Sequence, residues 1–311
     1  MNMTVSERLL ITSERCDTTL CCGLDPDPCA IKERGLAPED FEAVRSFLLT
    51  VIDLTSDIVC AYKVQKAFFD LLPDGHQLLR SLTRHVRSHC PDTVIILDCK
   101  AGDVGNTMRA YYSYAFDLIG VDSLMLNPLL GACVWQELTD RPESAGCIMV
   151  RTSNPEAQEF QDLVLSDGEP FWYRIATRLV EQRVGCDLLP VFSHTRESDL
   201  RKLRALIPDD VPILFAGYGV QGVSSSGVRL LANSTGRGVI VNSSRGILFA
   251  VREGEVWPQE SIRRRATEAR DSLEYSRHGQ VPKPVVLTTL GDSTGRPRHG
   301  DPAGGLPEHP R

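Results

Sequence analysis

The run Ile96-Leu97-Asp98-Cys99-Lys100-Ala101-Gly102-Asp103 sets three charges at the end of an apolar stretch. On a β-strand, Asp98 and Lys100 share a face, because side chains alternate. Asp103 follows on the loop. An ammonium flanked by carboxylates keeps its charge under partial burial. Such a group can stabilise developing negative charge and then deliver a proton. The plainer alternative is a salt bridge on a rim. Two further apolar runs end in charge: Val59-Cys60-Ala61-Tyr62-Lys63, and Gly23-Leu24-Asp25-Pro26 after Thr19–Cys22. Taken singly, Lys63 reads as a lysine snorkelling off a strand end and Asp25 as a turn former. Together, three successive strand ends deliver Asp25, Lys63, Asp98 and Lys100, and that coincidence outweighs each separate alternative.

A second chemistry is anion binding. Gly217-Tyr218-Gly219-Val220-Gln221-Gly222 matches GxGxxG, but no Asp or Glu occurs between Val211 and Arg252. A dinucleotide site needs an acid about 20 residues on, for the ribose, so that reading is weak. The same region carries Arg229, Arg237, Arg245 and Arg252. A glycine-rich loop with free N–H groups, beside arginine, suits a phosphate dianion. Arg245 is the best-placed cation, just past Val239–Asn242; its alternative is a surface arginine at a helix start. Thr152-Ser153-Asn154-Pro155 offers two hydroxyls and an amide, either to a polar ring or to a helix cap or turn. His85 and His89 stand at i, i+4. With Arg84 and Arg87 beside them and no glutamate between, they read as a solvated helix face.

These groups need a scaffold. Strands are expected at Thr19–Gly23, Ile58–Lys63, Thr93–Asp98, Ser123–Leu126, Cys147–Val150, Leu188–Phe192, Pro212–Phe215 and Val239–Val241. Most are continuous apolar runs, as in a parallel sheet covered on both faces. Helical periodicity lies between them: Phe41, Val44, Leu48, Val51 and Ile52 share one face. Asp70–Arg87 and Phe171–Val184 are likewise expected to be helical. Alternating strands and helices define an α/β protein. Eight strands in this length predict a (β/α)8 TIM barrel, whose carboxyl-end loops build active sites and whose last loops often bind phosphate. A doubly wound open sheet is the alternative. Residues 1–285 are expected to form one barrel domain. Residues 286–311, rich in Gly and Pro, cannot bury enough apolar surface to order themselves.

Composition narrows the classes. The 311 residues are 42% hydrophobic and 24% charged with net charge −7, which argues against a general nucleic-acid or membrane-surface binder. No stretch reaches the ~18 apolar residues of a membrane span. The N-terminal MNMTVSERLL lacks a basic start before an apolar core, so no export signal is expected and the cytoplasm is the expected location. The ten cysteines include no CxxC pair. They are expected to be free thiols, with neither disulfides nor a zinc site.

From about Leu20 to Ala250 the chain resembles the orotidine 5′-phosphate decarboxylase family, in its longer bacterial branch (type 2). The resemblance rests on Gly23-Leu24-Asp25-Pro26, on Lys63 with Gln65 and Ala67-Phe68-Phe69, and on Asp98-x-Lys100-x-x-Asp103-Val104-Gly105-Asn106-Thr107. It continues through Asn127–Gly131, Thr152–Pro155, Gly217–Gly222 and Ser244-Arg245-Gly246-Ile247. The Asp-x-Lys-x-x-Asp core is shared with a wider group of sugar-phosphate enzymes; the further matches are what make the family specific. The resemblance implies a (β/α)8 homodimer that converts orotidine 5′-phosphate to uridine 5′-phosphate without cofactor or metal. It implies that Asp25 holds a ribose hydroxyl, that Lys63 joins the charged network and that Asp98 sits beside the substrate carboxylate. Lys100 would donate the proton and Asp103 would reach the partner's site. Thr107, Ser153 and Asn154 would contact substrate, Ser153 at the pyrimidine, while Gln221, Gly222 and Arg245 would grip the phosphate. Departures from the family pattern fall at Ala101, Val64, Lys66, Ala216 and Phe192-Ser193-His194-Thr195. Three rival readings remain: a paralogue acting on a modified nucleotide, a metal-dependent sugar-phosphate lyase, and a silent nucleotide binder.

Overall fold

The computed structural model describes residues 3–183, 185–193, 196–216, 226–251 and 257–278. Eight parallel strands close into a barrel in chain order. They are β1 (Leu20–Gly23), β2 (Ala61–Gln65), β3 (Val94–Ala101), β4 (Ser123–Leu126), β5 (Ala145–Arg151), β6 (Asp187–Phe192), β7 (Ile213–Ala216) and β8 (Val239–Ser243). Each overlaps a strand expected from the sequence, and β8 pairs back onto β1. The open-sheet alternative is thereby overturned. The expected tail at 286–311, the glycine run 217–222 with Gln221 and Gly222, and His194 with Thr195 lie outside the described residues.

The strands lack alternation because both of their faces are covered. One apolar layer lies inside the barrel and includes Cys21, Ala61, Ile96, Met125, Cys147, Leu189, Leu214 and Ile240. The other lies between the strands and the helices and includes Tyr62, Val64, Leu97, Leu126 and Val241. Val5 and Leu9 of the helix Val5–Arg15 join the inner layer. That helix was not foreseen, and its cap explains why it forms: Thr4 and Glu7 make a reciprocal capping box. It packs on the barrel wall through Ser6, whose backbone N–H and hydroxyl both donate to Asp187, at 2.8 and 2.5 Å.

The expected helix at Asp70–Arg87 is corrected to two, Lys66–Asp70 and Gly75–His89. Pro73 disfavours helical backbone at Leu72, and Asp74 adopts φ +51°. Leu71, in the break between the two helices, is exposed. The helix expected from Phe171 to Val184 runs from Phe171 to Gln182. All ten cysteines are free, and burial pushes the Cys21 and Cys147 thiols up to about 12. These buried thiols are packing groups rather than nucleophiles. Among the described residues no helix is long and apolar enough to cross a membrane.

Candidate active site

Following the inner face of each strand toward its carboxyl end turns the apolar layer polar. Ala61 gives way to Lys63 two residues on, Ile96 to Asp98, and Ile240 to Asn242. Period-two geometry aims these side chains at the axis, and they meet in a cavity of about 710 Å³ at the barrel mouth. That volume suits a ligand of nucleotide size.

The charges form a chain. Lys63 is 5% exposed, and its Nζ lies 3.6 Å from Asp25 Oδ1 and 3.5 Å from Asp98 Oδ2. Asp98 Oδ1 accepts from Lys100 Nζ at 2.7 Å. Asp25 Oδ1 also accepts the Gln65 backbone N–H at 3.1 Å. Burial works against the Lys63 charge, but Asp25 and Asp98 outweigh it and hold the ammonium above its ordinary pKa. Both Asp98 oxygens face ammonium groups, so its carboxylate is committed to lysines rather than offered to a metal ion.

Lys100 reaches Asp98 by a different route from the one its spacing suggests. Pairing between β3 and β4 steps from Leu97↔Leu124 to Ala101↔Leu126, so β3 uses four residues where β4 uses two. The excess bulges out, and Lys100 sits at φ +49°. A non-glycine residue there carries backbone strain of about 1–3 kcal/mol. Simple alternation therefore gives the right neighbour for an incomplete reason. The bulge re-aims the lysine into the mouth, where its side chain is 45% exposed.

Two close backbone approaches fix the rim. A Cβ on Gly23 would stand 2.6 Å from Ser244 Cβ, so only glycine lets β1 meet the loop after β8. A Cβ on Gly102 would stand 2.9 Å from the Asn127 carbonyl oxygen, which ties the β3 loop to the β4 loop. Beyond Ser244, Arg245 opens the short helix Arg245–Leu248, is exposed and lines the cavity.

Ser153 and Asn154 line the same cavity. Asn154 accepts from Thr152 Oγ1 at 2.7 Å and donates to Glu156 at 3.1 Å. Asn154 is the N-cap residue of the turn Pro155–Glu159 but gives it no side-chain cap, so the turn alternative holds for its backbone while its side chain stays in the cavity lining. The loop is anchored from behind by Arg151, which is buried and donates twice to Asp162, both at 2.9 Å. Gln161 accepts the Thr152 N–H at 2.8 Å.

Asp103 and Thr107 stand apart from this group. Neither lines the cavity; Asp103 accepts its own neighbour's N–H, from Val104, at 2.8 Å, and Thr107 is exposed on the helix Gly105–Tyr112. Residues to which the sequence reading gave no role in the site include Ser244, Asn242, Phe68 and Gln161, all in the lining. Asn242 was available from the alternation past Ile240. Ser244 Oγ is buried without a hydrogen-bond partner among the described residues, and its hydroxyl could donate to a bound acceptor.

The departures from the family pattern mostly fall off the site. Ala101 and Val64 are buried in the outer layer, and Lys66 pairs with Asp70 at 2.6 Å. Ala216 and Ser193 do line the cavity.

Fold and site together define a (β/α)8 barrel with a charged carboxyl-end pocket and a cation at the loop after β8, where such barrels often bind phosphate. The chain belongs to the orotidine 5′-phosphate decarboxylase / HUMPS family, whose model matches residues 18–257. It is 36% identical over 248 residues to the orotidine 5′-phosphate decarboxylase of Herpetosiphon aurantiacus, covering 78% of this chain and 88% of that one. The Janthinobacterium sp. orotidine 5′-phosphate decarboxylase is 32% identical over 277 residues, with 87% and 98% covered. Among solved structures, the Leishmania donovani OMP decarboxylase shares the fold at TM-score 0.74 and 23% identity, covering 89% of this chain and 99% of that one.

Proposed function

We propose that the chain decarboxylates orotidine 5′-phosphate to uridine 5′-phosphate, a step of pyrimidine nucleotide synthesis, without cofactor or metal. The observation that carries this is the alternating chain Asp25–Lys63–Asp98–Lys100 at the mouth. Breaking the bond from C6 to the carboxyl group leaves its electron pair on C6, in the ring plane, where the π system gives little help. Only charge that is already in place can stabilise that pair as it develops. Lys100 is the half-exposed end of the chain, held by Asp98, and can place its ammonium at C6. It then gives C6 a proton while CO2 departs, and solvent water restores the ammonium. Asp98, beside the substrate carboxylate, adds like-charge repulsion in the ground state that disappears as CO2 leaves.

The remaining roles follow position. Asp25 takes a ribose hydroxyl, Ser153 and Asn154 the pyrimidine, and Arg245 with Gln221 and Gly222 the phosphate. Binding energy from that remote phosphate is available for orientation at C6. Asp103 and Thr107, on the rim outside their own cavity, complete the site of a second copy in a homodimer. In support, exposed apolar side chains flank them at Val104, Leu129 and Leu130. Ten free thiols suit a reducing compartment, and we place the enzyme in the cytoplasm.

The test is purified chain with orotidine 5′-phosphate in excess EDTA, followed by the ultraviolet change. Turnover that persists in chelator is expected; loss of turnover on chelation would favour the metal-dependent rival, and no turnover at all the silent one. The clamp behind the pyrimidine loop gives a second expectation. Asp162→Asn leaves a buried guanidinium half-paired and lets residues 152–154 drift. A displacement of ~1 Å costs about 100-fold, so kcat/KM should fall 10- to 100-fold, mainly through KM. Unchanged steady-state kinetics would show that the clamp does not position the loop.

A further inference from the structure

The two histidines that the sequence presents as a solvated helix face acquire a third group in the fold. Asp53, on the neighbouring helix Phe41–Thr55, places Oδ1 2.6 Å from His85 Nε2. One ligand-capable atom of each of Asp53, His85 and His89 lies within 4.8 Å of the others. We propose that these three residues bind a divalent transition-metal ion of borderline softness, such as Zn²⁺ or Ni²⁺, which staples the two helices together.

Four features support the site. The imidazoles, one turn apart on Gly75–His89, face the same way with ring centroids 4.0 Å apart. His89 turns Nδ1 toward its own helix, 2.9 Å from the His85 carbonyl oxygen, which can only accept, and 2.9 Å from Ser88 Oγ. With Nδ1 as donor to that carbonyl, Nε2 keeps the lone pair, the arrangement in which second-sphere bonds orient metal-bound histidines. Of the two arginines expected to crowd this face, Arg84 is exposed and Arg87 is turned away, donating to Asp122 at 2.5 Å and to the Thr93 carbonyl at 3.1 Å. Finally, Asp53 and His89 lie in the last turns of their helices, where the backbone dipole favours a cation.

Two imidazoles and one carboxylate select borderline ions over Mg²⁺ or Ca²⁺. Ligand bonds of ~2.1 Å set neighbouring donors ~3.4 Å apart in a tetrahedron. The ion takes the place of the proton between His85 Nε2 and Asp53 Oδ1, now 2.6 Å apart, which part by ~0.8 Å, while the other separations, within 4.8 Å, close by up to ~1.4 Å and solvent completes the coordination sphere. In a (β/α)8 barrel the helices run back against the strands, so these helix ends lie at the end remote from the catalytic mouth. The ion's role is to join helices rather than to do chemistry.

The test is titration of the full-length chain with CoCl2 and NiCl2, monitored by calorimetry and by the visible spectrum. One saturable site is expected, with ligand-field bands but no intense thiolate charge-transfer band, and with a Tm that rises with added NiCl2. His85→Ala, His89→Ala and Asp53→Ala should each weaken binding at least tenfold and abolish the Tm rise. Binding unaltered in the two histidine variants would place the metal on the cysteines or on the histidines near the C-terminus, and would overturn the proposal. So would the absence of any saturable site.

Discussion

Lys100→Ala is expected to abolish turnover while the barrel keeps its stability. The lysine is asked to supply two effects, stabilisation of the charge developing on C6 and delivery of the proton as CO2 departs. Proton transfer from a positioned group contributes about 10²–10⁴-fold, and a fixed electrostatic donor about 10²–10³-fold. Their joint loss lowers kcat at least ~10⁴-fold, or roughly 5 kcal/mol. Stability is a separate matter, because the Lys100 side chain is 45% exposed and an ion pair so open to solvent is worth only ~0–1 kcal/mol. Asp98 also keeps Lys63 as its partner. Lys100→Gly sharpens the contrast. Glycine accepts a φ of +49° without the strain that lysine carries there, so this variant should be at least as stable as the parent chain and equally inactive. The checks are urea unfolding and single-turnover decarboxylation, with uridine 5′-phosphate affinity measured alongside. Either lysine variant retaining turnover within ~100-fold of the parent would remove Lys100 from the proton-donor role.

The barrel was legible because its chemistry is local. A strand covered on both faces must be apolar throughout, and eight such runs at α/β spacing leave few other folds. The site was legible in part for the same reason: a charge ending an apolar run has nowhere to go but the mouth, which is how Asp25, Lys63 and Asp98 were found. Three things were not local. The helix Val5–Arg15 needs a barrel wall and Asp187, 181 residues beyond Ser6, to explain its place. The bulge at Lys100 depends on the register with β4. The tight return after Asp70, beyond the break that Pro73 signals, depends on how Gly75 packs onto Phe69, whose carbonyl oxygen would lie 1.9 Å from a Cβ at that position. Asp53 is the same lesson on the outer face: periodicity finds His85 with His89, and only packing brings the carboxylate. Gln161 had no sequence signal at all, because its part is to hold Thr152 from nine residues away.

Lys63→Met carries the second large effect, and it falls on stability as well as on rate. Unlike Lys100, this lysine is buried, and it alone stands between Asp25 and Asp98. Methionine matches its length and leaves two carboxylates in the mouth without their shared cation. Breaking a buried pair by removing one partner costs about 3–5 kcal/mol, more than the intact pair contributes against an apolar replacement. Urea unfolding near pH 7 should register that loss. Turnover should fall about 10³-fold or more, because Asp98 then leans on Lys100 alone and draws it off C6. The double variant Lys63→Met/Asp98→Asn should regain part of the stability, since the uncompensated charge is gone, and none of the turnover; contacting residues couple in this way. The pH dependence has a definite sign. Burial disfavours the Lys63 ammonium, but Asp25 and Asp98 raise its pKa above the ordinary lysine value. Its contribution is therefore complete below that ordinary value and is lost as pH climbs through the raised one. The gap between parent and variant should stay constant across neutral pH and close only in strong alkali. A single variant within ~1 kcal/mol of the parent at pH 7 would mean that Lys63 does not hold the network together.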